Sequence, residues 1–491
     1  MEPVRILSWE QMHEIDAAAQ SILERTGIKI DSPEALDCLR RFGCRVDEAS
    51  SIVRIPQAVS RQAVAKMRSD YQRPDRPERM PVRFSHVRFR PAPYQVHLDF
   101  TASTGGFCCF LADLDGRRRP AGHHDVLCAL NMVNHLDQID YTGLPVSDQS
   151  VPARQRPVAM AAELVKWTRK IGGIETFSKH DVRWIHEIAA VVAGSAEELR
   201  RRPALIGYAE TRSPLCFDRN MVEVFLEYLK LGVPQTVDTM PSGGSTAPVT
   251  GAGLLALGAA ETLAAVVLGY AVREDAVLAM DITPSYADMH SGQYKYCGPD
   301  RCNLLMARVQ LLAEYYGCPT GVHGGKTDSC FCNEQTGIEK ISSMLLTVMA
   351  GAVGIGTVGH LENAVTFSPV QLVIDNELVR YVRRALRSPW TVDSQTLATE
   401  VVDAVGPGGH FLAQDHTAAH FRQELFFSRL FPVTRWAEAH DHPDRFDATR
   451  QAEAVARDLW RRPEAPVLAD DQLRAIDALV ARAERDLAAG D

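Results

Sequence analysis

His323 is followed seven residues later by Cys330-Phe331-Cys332, and two thiolates with an imidazole at such spacing are groups that hold zinc. The Cys-x-Cys pair by itself leaves a third and fourth ligand to be guessed, so apolar loop thiols are the simpler reading, and no tightly bound metal is expected. The neighbouring Gly324-Gly325-Lys326-Thr327 has the end of a phosphate loop without its beginning. That motif needs a glycine five residues before Gly325, where this chain has Thr320. The glycines of GAVGIG (351–356) are spaced wrongly for a dinucleotide turn, and His123-His124-Asp125 lies in a polar stretch that suits a solvated turn or helix start. No Ser-His-Asp spacing and no nucleophile elbow is present.

The elements that must position such groups follow a clear rhythm. β-like runs at 137–144, 172–178, 204–210, 234–240, 276–282, 318–324 and 353–360 alternate with helical stretches near 155–170, 181–194, 217–230, 249–271, 301–316 and 335–350. Parallel strands need crossover connections, so this alternation implies a parallel sheet. An eighth strand, near Gln371–Ile374 or within 96–112, would close a (β/α)8 barrel. A doubly wound open sheet competes, but its glycine fingerprint is missing after GLPVSDQSVP. In a barrel the chemistry gathers where strands end. Those ends are rich here: Thr176 to His180, Glu210, Thr239 to Thr246, Asp281 to Tyr296, His323 to Glu334 and Gly359 to Phe367.

The expected organisation is an α/β chain with an N-terminal helical extension at 1–95, a catalytic barrel at 96–390 and a C-terminal helical segment at 391–491 packed on the barrel. The extension begins with a helix over 9–26 whose face carries Met12, Ile15, Ala18, Ile22 and Leu23, then helices at 32–42 and 56–68. A proline-rich basic connector at 75–84 follows, and then strands joined by a glycine turn over 96–116.

The chain has 491 residues, 46% hydrophobic and 23% charged, an ordinary globular composition. Acids outnumber bases 62 to 53, which argues against nucleic acid or an anionic membrane as partner. The apolar stretch from Gly251 to Val272 contains Glu261 and reads as a buried helix rather than a membrane span. Eleven cysteines without an export signal point to reduced thiols in the cytoplasm. A homo-oligomer is expected.

The segments SILERTGIKIDSPEALDCLRRFGCRVDEASSIVRIP (21–56), GGSTAPVTGAGLLALGAAETLAAVVL (243–268), GGKTDSCFCNEQTGIEKISSMLLTVMAGA (324–352) and GPGGHFLAQDHTAAHFRQEL (406–425) resemble the trimethylamine methyltransferase superfamily. The resemblance implies a (β/α)8-barrel enzyme that moves a methyl group from an amine to the cobalt of a corrinoid (cobalamin) carried by a partner protein. One branch of that superfamily carries pyrrolysine. This chain consists of the ordinary twenty residues and looks like the other branch, which includes glycine betaine methyltransferases and acts on quaternary amines. The cysteines at Cys330, Cys332, Cys108, Cys109 and Cys302 depart from the pattern. They leave open a zinc-dependent methyltransferase acting on a thiol or other donor, or a non-catalytic methylated-amine binding protein.

Chemistry agrees with the quaternary branch. Cobalt(I) is a strong nucleophile, and a quaternary ammonium leaves as a neutral tertiary amine without needing a proton. Such a site needs a partial aromatic cage, each face contributing roughly 0.5 to 2 kcal/mol, a polar anchor for the far end of the substrate, and an open mouth. Candidate substrate-binding residues are Tyr94, Phe107, Tyr294, Tyr296, Phe331 and Phe367 for the cage, with His323, Lys326 and Gln335 as anchors or orienting groups. Asp328, Glu334 and His360 are the candidate catalytic residues. Gly408, Gly409, His410 and His416 are the candidates for a corrinoid-facing rim.

Overall fold

The computed structural model describes residues 1–72, 94–96, 98–106, 108–174, 176–203, 205–387 and 391–488. The expected connector at 75–84 lies outside them.

The first helix runs Trp9–Arg25. It opens on a capping box in which the Ser8 side chain accepts from Gln11 N and the Gln11 side chain accepts from Ser8 N. Its buried stripe is Met12, Ile15, Ala19 and Leu23, whereas the expected Ala18 faces solvent. The face is rotated because Asp16 is buried too, accepting hydrogen bonds from the Tyr315 hydroxyl at 3.0 Å and the Tyr316 hydroxyl at 2.7 Å. Helices Pro33–Arg41 and Gln57–Gln72 follow, with short strands Ile28–Ile30, Arg45–Asp47 and Ile52–Arg54 between them. Gly27 makes the turn into the first strand at φ +81°, and a Cβ there would sit 2.5 Å from the Val53 carbonyl oxygen. The small sheet recruits Cys216–Phe217 through the parallel pair Lys29↔Cys216, and its helices share one apolar core with the Gly251–Val272 helix. This N-terminal part is therefore packed into the main body.

Among the described residues the main body contains eight staves in two arcs, six of them parallel strands and two held by isolated parallel bridges. In one arc Gly321–Val322, Gly354–Ile355 and Thr101–Ala102 are hydrogen-bonded side by side, and bridges Ser103↔Tyr141 and Thr142↔Ile171 extend it by two staves. In the other, Gln235–Thr239 lies between Gly207–Thr211 and Leu278–Met280. The eighth strand expected from sequence is the one at Thr101–Ala102. The alternative, Gln371–Ile374, lies in the Pro369–Ala385 helix, where Ser368 caps the first turn and Leu372, Val379 and Val382 are buried at helical spacing. The expected strand run 137–144 makes isolated bridges at Tyr141 and Thr142 rather than a ladder, and the bridge partner Ile171 falls just before the expected run 172–178. Gly172 passes so close to its neighbour that a Cβ would lie 2.6 Å from the Tyr141 ring. Arg308 joins the arcs on one side, donating to Thr320 Oγ1 and the Gly321 carbonyl at 2.8 Å and pairing with Asp281. On the other side Ile174 and Leu205 share an apolar core.

Alternation along the staves sorts their side chains. Ala209, Val237 and Leu278 point into the helical layer, while Tyr208, Glu210, Asp238 and Asp281 point to the other face. The Gly251–Val272 helix is apolar enough to cross a membrane, but 83% of its most apolar window is buried inside this chain. Its Glu261 accepts hydrogen bonds from Ser213 Oγ and Leu215 N at 2.7 Å and from Thr239 Oγ1, tying the ends of two staves to the helix. At the C-terminus, Ala448–Leu459 packs on Pro369–Ala385 and His123–His135, and Asp470–Ala488 packs on Lys179–Ala193 and Arg156–Trp167.

Replacing Glu261 by Leu removes the acceptor of the part-buried Leu215 N–H and leaves the Ser213 and Thr239 hydroxyls only each other, at 3.1 Å. It should lower unfolding stability by about 3 kcal/mol in chemical denaturation. An unchanged or raised stability would contradict the role given to this carboxylate.

Candidate active site

Two groups of opposite charge meet where the staves end. On one side, the Tyr208 hydroxyl lies 2.9 Å from Glu210 Oε1 and 2.9 Å from Asp238 Oδ2. Asp238 also accepts from Thr283 Oγ1 at 2.8 Å and Thr239 N at 2.7 Å. One phenol proton cannot serve two ionised carboxylates, so the trio is satisfied when a carboxyl retains a proton. Burial supplies the reason: it raises the pKa of both Glu210 and Asp238, and each carboxylate adds to the rise at Tyr208. Asp238 is buried, whereas Tyr208 and Glu210 stay partly accessible.

On the other side stand Lys326 and Arg301, both buried. Lys326 Nζ sits 4.0 Å from the Tyr296 ring centre and the Arg301 guanidinium 5.6 Å from it. Arg301 donates through Nε to the Pro284 carbonyl at 2.9 Å, while its Nη2 is buried without a partner. Among the described residues no carboxylate oxygen lies within 4.0 Å of either cation. Burial, then the Arg301 charge, pulls the Lys326 ammonium down to about 8, against the attraction of Cys297, Asp238 and Glu210. The two sides thus feel each other's charge across a gap. His323 ends its stave beside them with Nδ1 buried and unpartnered, kept neutral by burial and by the Lys326 and Arg301 charges.

The other expected residues are placed as follows. Asp328 accepts from Tyr296 N at 2.9 Å and Cys297 N at 3.0 Å, so it fixes the loop that carries Tyr296. Glu334 and Gln335 are exposed at the start of the Glu334–Met349 helix. The carboxylate that works in this stretch is Glu339, which accepts from Thr327 Oγ1 at 2.6 Å and Asp328 N at 2.9 Å. His360 is buried with neither ring nitrogen partnered, and burial and Lys340 push it down to about 3. Phe367 meets it edge-on at 6.4 Å and stacks on Trp460 at 6.5 Å, inside the apolar core. Tyr94 contacts the Ala350 carbonyl, before the Gly354–Ile355 stave begins and so at the opposite end from the strand-end groups. Tyr294 and Phe331 are exposed, Phe331 by 72%. Phe107 lies outside the described residues. Gly408, Gly409, His410 and His416 lie on a largely exposed C-terminal arm. Cys330 is exposed, Cys332 is half-buried 3.7 Å from Ser368 Oγ, and no third ligand joins them among the described residues.

The expected aromatic cage is therefore not gathered in one place. Tyr296 is at the site, but Lys326 occupies a face of its ring. Of the groups that gather, strand-end reasoning had marked Glu210, Tyr296, His323 and Lys326, and it missed Tyr208, Asp238 and Arg301. Alternation along GYAET and QTVDT could have placed Tyr208, Glu210 and Asp238 on one face. Arg301, inside a helix, carries no such signal.

The family model described as Trimethylamine methyltransferase (MTTB) matches residues 1–488. The chain is 29% identical over 415 residues to Trimethylamine methyltransferase MttB of Desulfitobacterium hafniense, covering 84% of this chain and 81% of that protein. It is 27% identical over 486 residues to Trimethylamine methyltransferase MttB2 of Methanosarcina mazei, covering 98% and 95%. Glycine betaine methyltransferase of Desulfitobacterium hafniense is 26% identical over 429 residues, covering 87% and 86%.

Because His360 is held near 3 in the fold against 6.5 in the open chain, the unfolded chain takes up its proton first as pH falls. Stability should therefore decline from about pH 6.5 towards 3. His360→Leu should flatten part of that decline in denaturation titrations, whereas identical declines in both proteins would contradict a neutral buried imidazole.

Proposed function

From the premise that the chain belongs to the trimethylamine methyltransferase family, we propose that it takes a methyl group from a zwitterionic quaternary amine of the glycine betaine type. The acceptor is the corrinoid of a partner protein. The observation that carries this reading is the pair of buried cations, Lys326 and Arg301, with no carboxylate oxygen within 4.0 Å among the described residues and with the Glu210–Asp238 pair acting on Lys326 from beyond that distance. An isolated buried charge costs several kcal/mol. A substrate carboxylate against Lys326 and Arg301 supplies the missing counter-charge through charge-assisted hydrogen bonds, and His323 Nδ1 and Arg301 Nη2 are open to join it.

The quaternary nitrogen then lies towards Tyr208, Glu210 and Asp238. A carboxyl pair that retains a proton holds the onium more weakly than two full charges would. That suits a reaction in which the positive charge disappears, since tight ground-state binding would oppose it. When bound, the partner's reduced corrinoid supplies the cobalt nucleophile. The methyl carbon–nitrogen bond breaks with its electron pair remaining on nitrogen, and the amine leaves neutral. The residues of this chain bind and align, and none has to donate a proton.

The two arcs are read as one (β/α)8 barrel with this site at its C-terminal mouth. The hydrogen-bond order follows the chain order and the last stave, Gly354–Ile355, pairs with the first, Thr101–Ala102, which supports that reading. The exposed Tyr294 and Phe331 beside the mouth fit an approach by the cofactor of another protein. A cytoplasmic location belongs to the same proposal.

Incubation with cob(I)alamin and glycine betaine, carnitine or proline betaine should form methylcobalamin, and trimethylamine should not. Arg301→Met should raise KM for the carboxylated amine by about tenfold or more, equivalent to about 1.4 kcal/mol. Activity should fall as pH rises through about 8, where Lys326 loses its proton, and Lys326→Arg should move that limb upward. Faster transfer from trimethylamine than from any carboxylated quaternary amine would contradict the proposal.

A further inference from the structure

The end of the site that carries Glu210 and Asp238 offers hydrogen-bond acceptors where an aromatic cage was expected. The described cage candidates lie elsewhere or, like Tyr296, are engaged by a cation. Tyr208 brings a ring, but its hydroxyl lies 2.9 Å from each of two carboxyl groups.

Those two carboxyl groups differ in what they have left to accept. Asp238 is buried and takes three donors: Thr239 N at 2.7 Å, Thr283 Oγ1 at 2.8 Å and the Tyr208 hydroxyl at 2.9 Å. Three donors favour the ionised form of Asp238, so the proton that the trio retains sits on Glu210, shared with the Tyr208 oxygen. Glu210 uses only Oε1 in that contact and stays partly accessible. Its Oε2 has no hydrogen-bond partner among the described residues and is not sealed in by protein, so it is an acceptor left open. A quaternary nitrogen has no N–H and cannot use it. A protonated tertiary nitrogen carries the same charge, one methyl fewer and one donor.

We infer that the chain has a second activity: it also takes a methyl group from a tertiary N-methyl amino acid in its protonated form. The simplest such substrate is N,N-dimethylglycine, the amine that glycine betaine leaves behind. The inference rests on the reading of the site given above and adds the group that holds the nitrogen. The carboxylate lies against Lys326 and Arg301 as before, and the N–H donates to Glu210 Oε2. Without that proton, loss of a methyl cation equivalent would leave an amide anion, so the nitrogen must stay charged, and an adjacent ionised carboxylate favours the charged form.

Glu210 supplies the proton when the first transfer ends. The amine nitrogen, neutral once the methyl has gone, is a far stronger base than a carboxylate and takes the Glu210 proton. An N–H cation then faces an ionised Glu210. In the second transfer the methyl carbon–nitrogen bond breaks with its electron pair remaining on nitrogen, and the carbon accepts a pair from the partner's reduced corrinoid. The nitrogen keeps its proton and leaves as a neutral secondary amine, N-methylglycine.

Calorimetry on the full-length protein without corrinoid should show N,N-dimethylglycine binding at least as tightly as glycine betaine. Glu210→Gln should weaken N,N-dimethylglycine about tenfold more than it weakens glycine betaine. With cob(I)alamin added, N,N-dimethylglycine should form methylcobalamin and N-methylglycine. Methylcobalamin from glycine betaine but none from N,N-dimethylglycine would overturn the second activity and leave the quaternary reading standing, whereas none from either would overturn both. Equal losses of the two ligands in Glu210→Gln would overturn the role given to Glu210.

Discussion

Two buried cations with no carboxylate oxygen within 4.0 Å among the described residues set the terms for everything around them. Transferring an ammonium or a guanidinium out of water costs several kcal/mol even after relaxation. The Tyr296 ring beneath Lys326 and Arg301 offsets about 0.5 to 2 kcal/mol of it. The depressed proton affinity of Lys326 expresses the same cost in another form. Glu210 and Asp238 are near enough to be felt by Lys326, and Asp328 by Arg301, but none lies within 4.0 Å of its cation. The fold thus maintains a separation of charge, which the proposed zwitterionic substrate would span.

Keeping those charges apart requires that each be held from behind. Asp328 spends both oxygens on the amides of Tyr296 and Cys297, and Glu339 in turn holds Thr327 and Asp328. Asp375 accepts from Lys340 at 2.6 Å, Gln371 at 2.8 Å and Gly359 N at 2.6 Å, which sets the backbone entering His360. Arg308 clamps Thr320 and Gly321 just ahead of His323 while pairing with Asp281. The groups at the site are consequently locked by a second set of hydrogen bonds, and loosening one of these would misalign the pocket without touching a ligand.

The order of helices and strands was legible because apolar periodicity survives in sequence: every helical stretch expected between 155 and 350 has a counterpart, and six of the seven strand starts fall within three residues of a stave or bridge. What periodicity could not give was facing. Phe367 and Tyr94 have the composition of cage residues, yet one is fixed by Trp460 and the other by the Ala350 carbonyl, partners distant in the chain. Ala18 and Ala19 each sit at helical spacing from Ile15, and the buried face settles on Ala19 once Asp16 finds Tyr315 and Tyr316. Arg301 is invisible as a site residue because a basic side chain in a helix is normally solvated, and only the tertiary fold withdraws it from water. Resemblance supplied the family where spacing stopped at a barrel, but aromatic composition pointed to a cage where the structure instead opposes charges.

Calorimetric binding of glycine betaine set against choline, which keeps the quaternary nitrogen and lacks the carboxylate, probes that opposition of charges directly. Glycine betaine should bind at least about tenfold more tightly, a difference of about 1.4 kcal/mol, and the advantage should vanish in Arg301→Met. Choline binding as tightly as glycine betaine, or an advantage indifferent to Arg301, would show that the buried cations do not read a carboxylate.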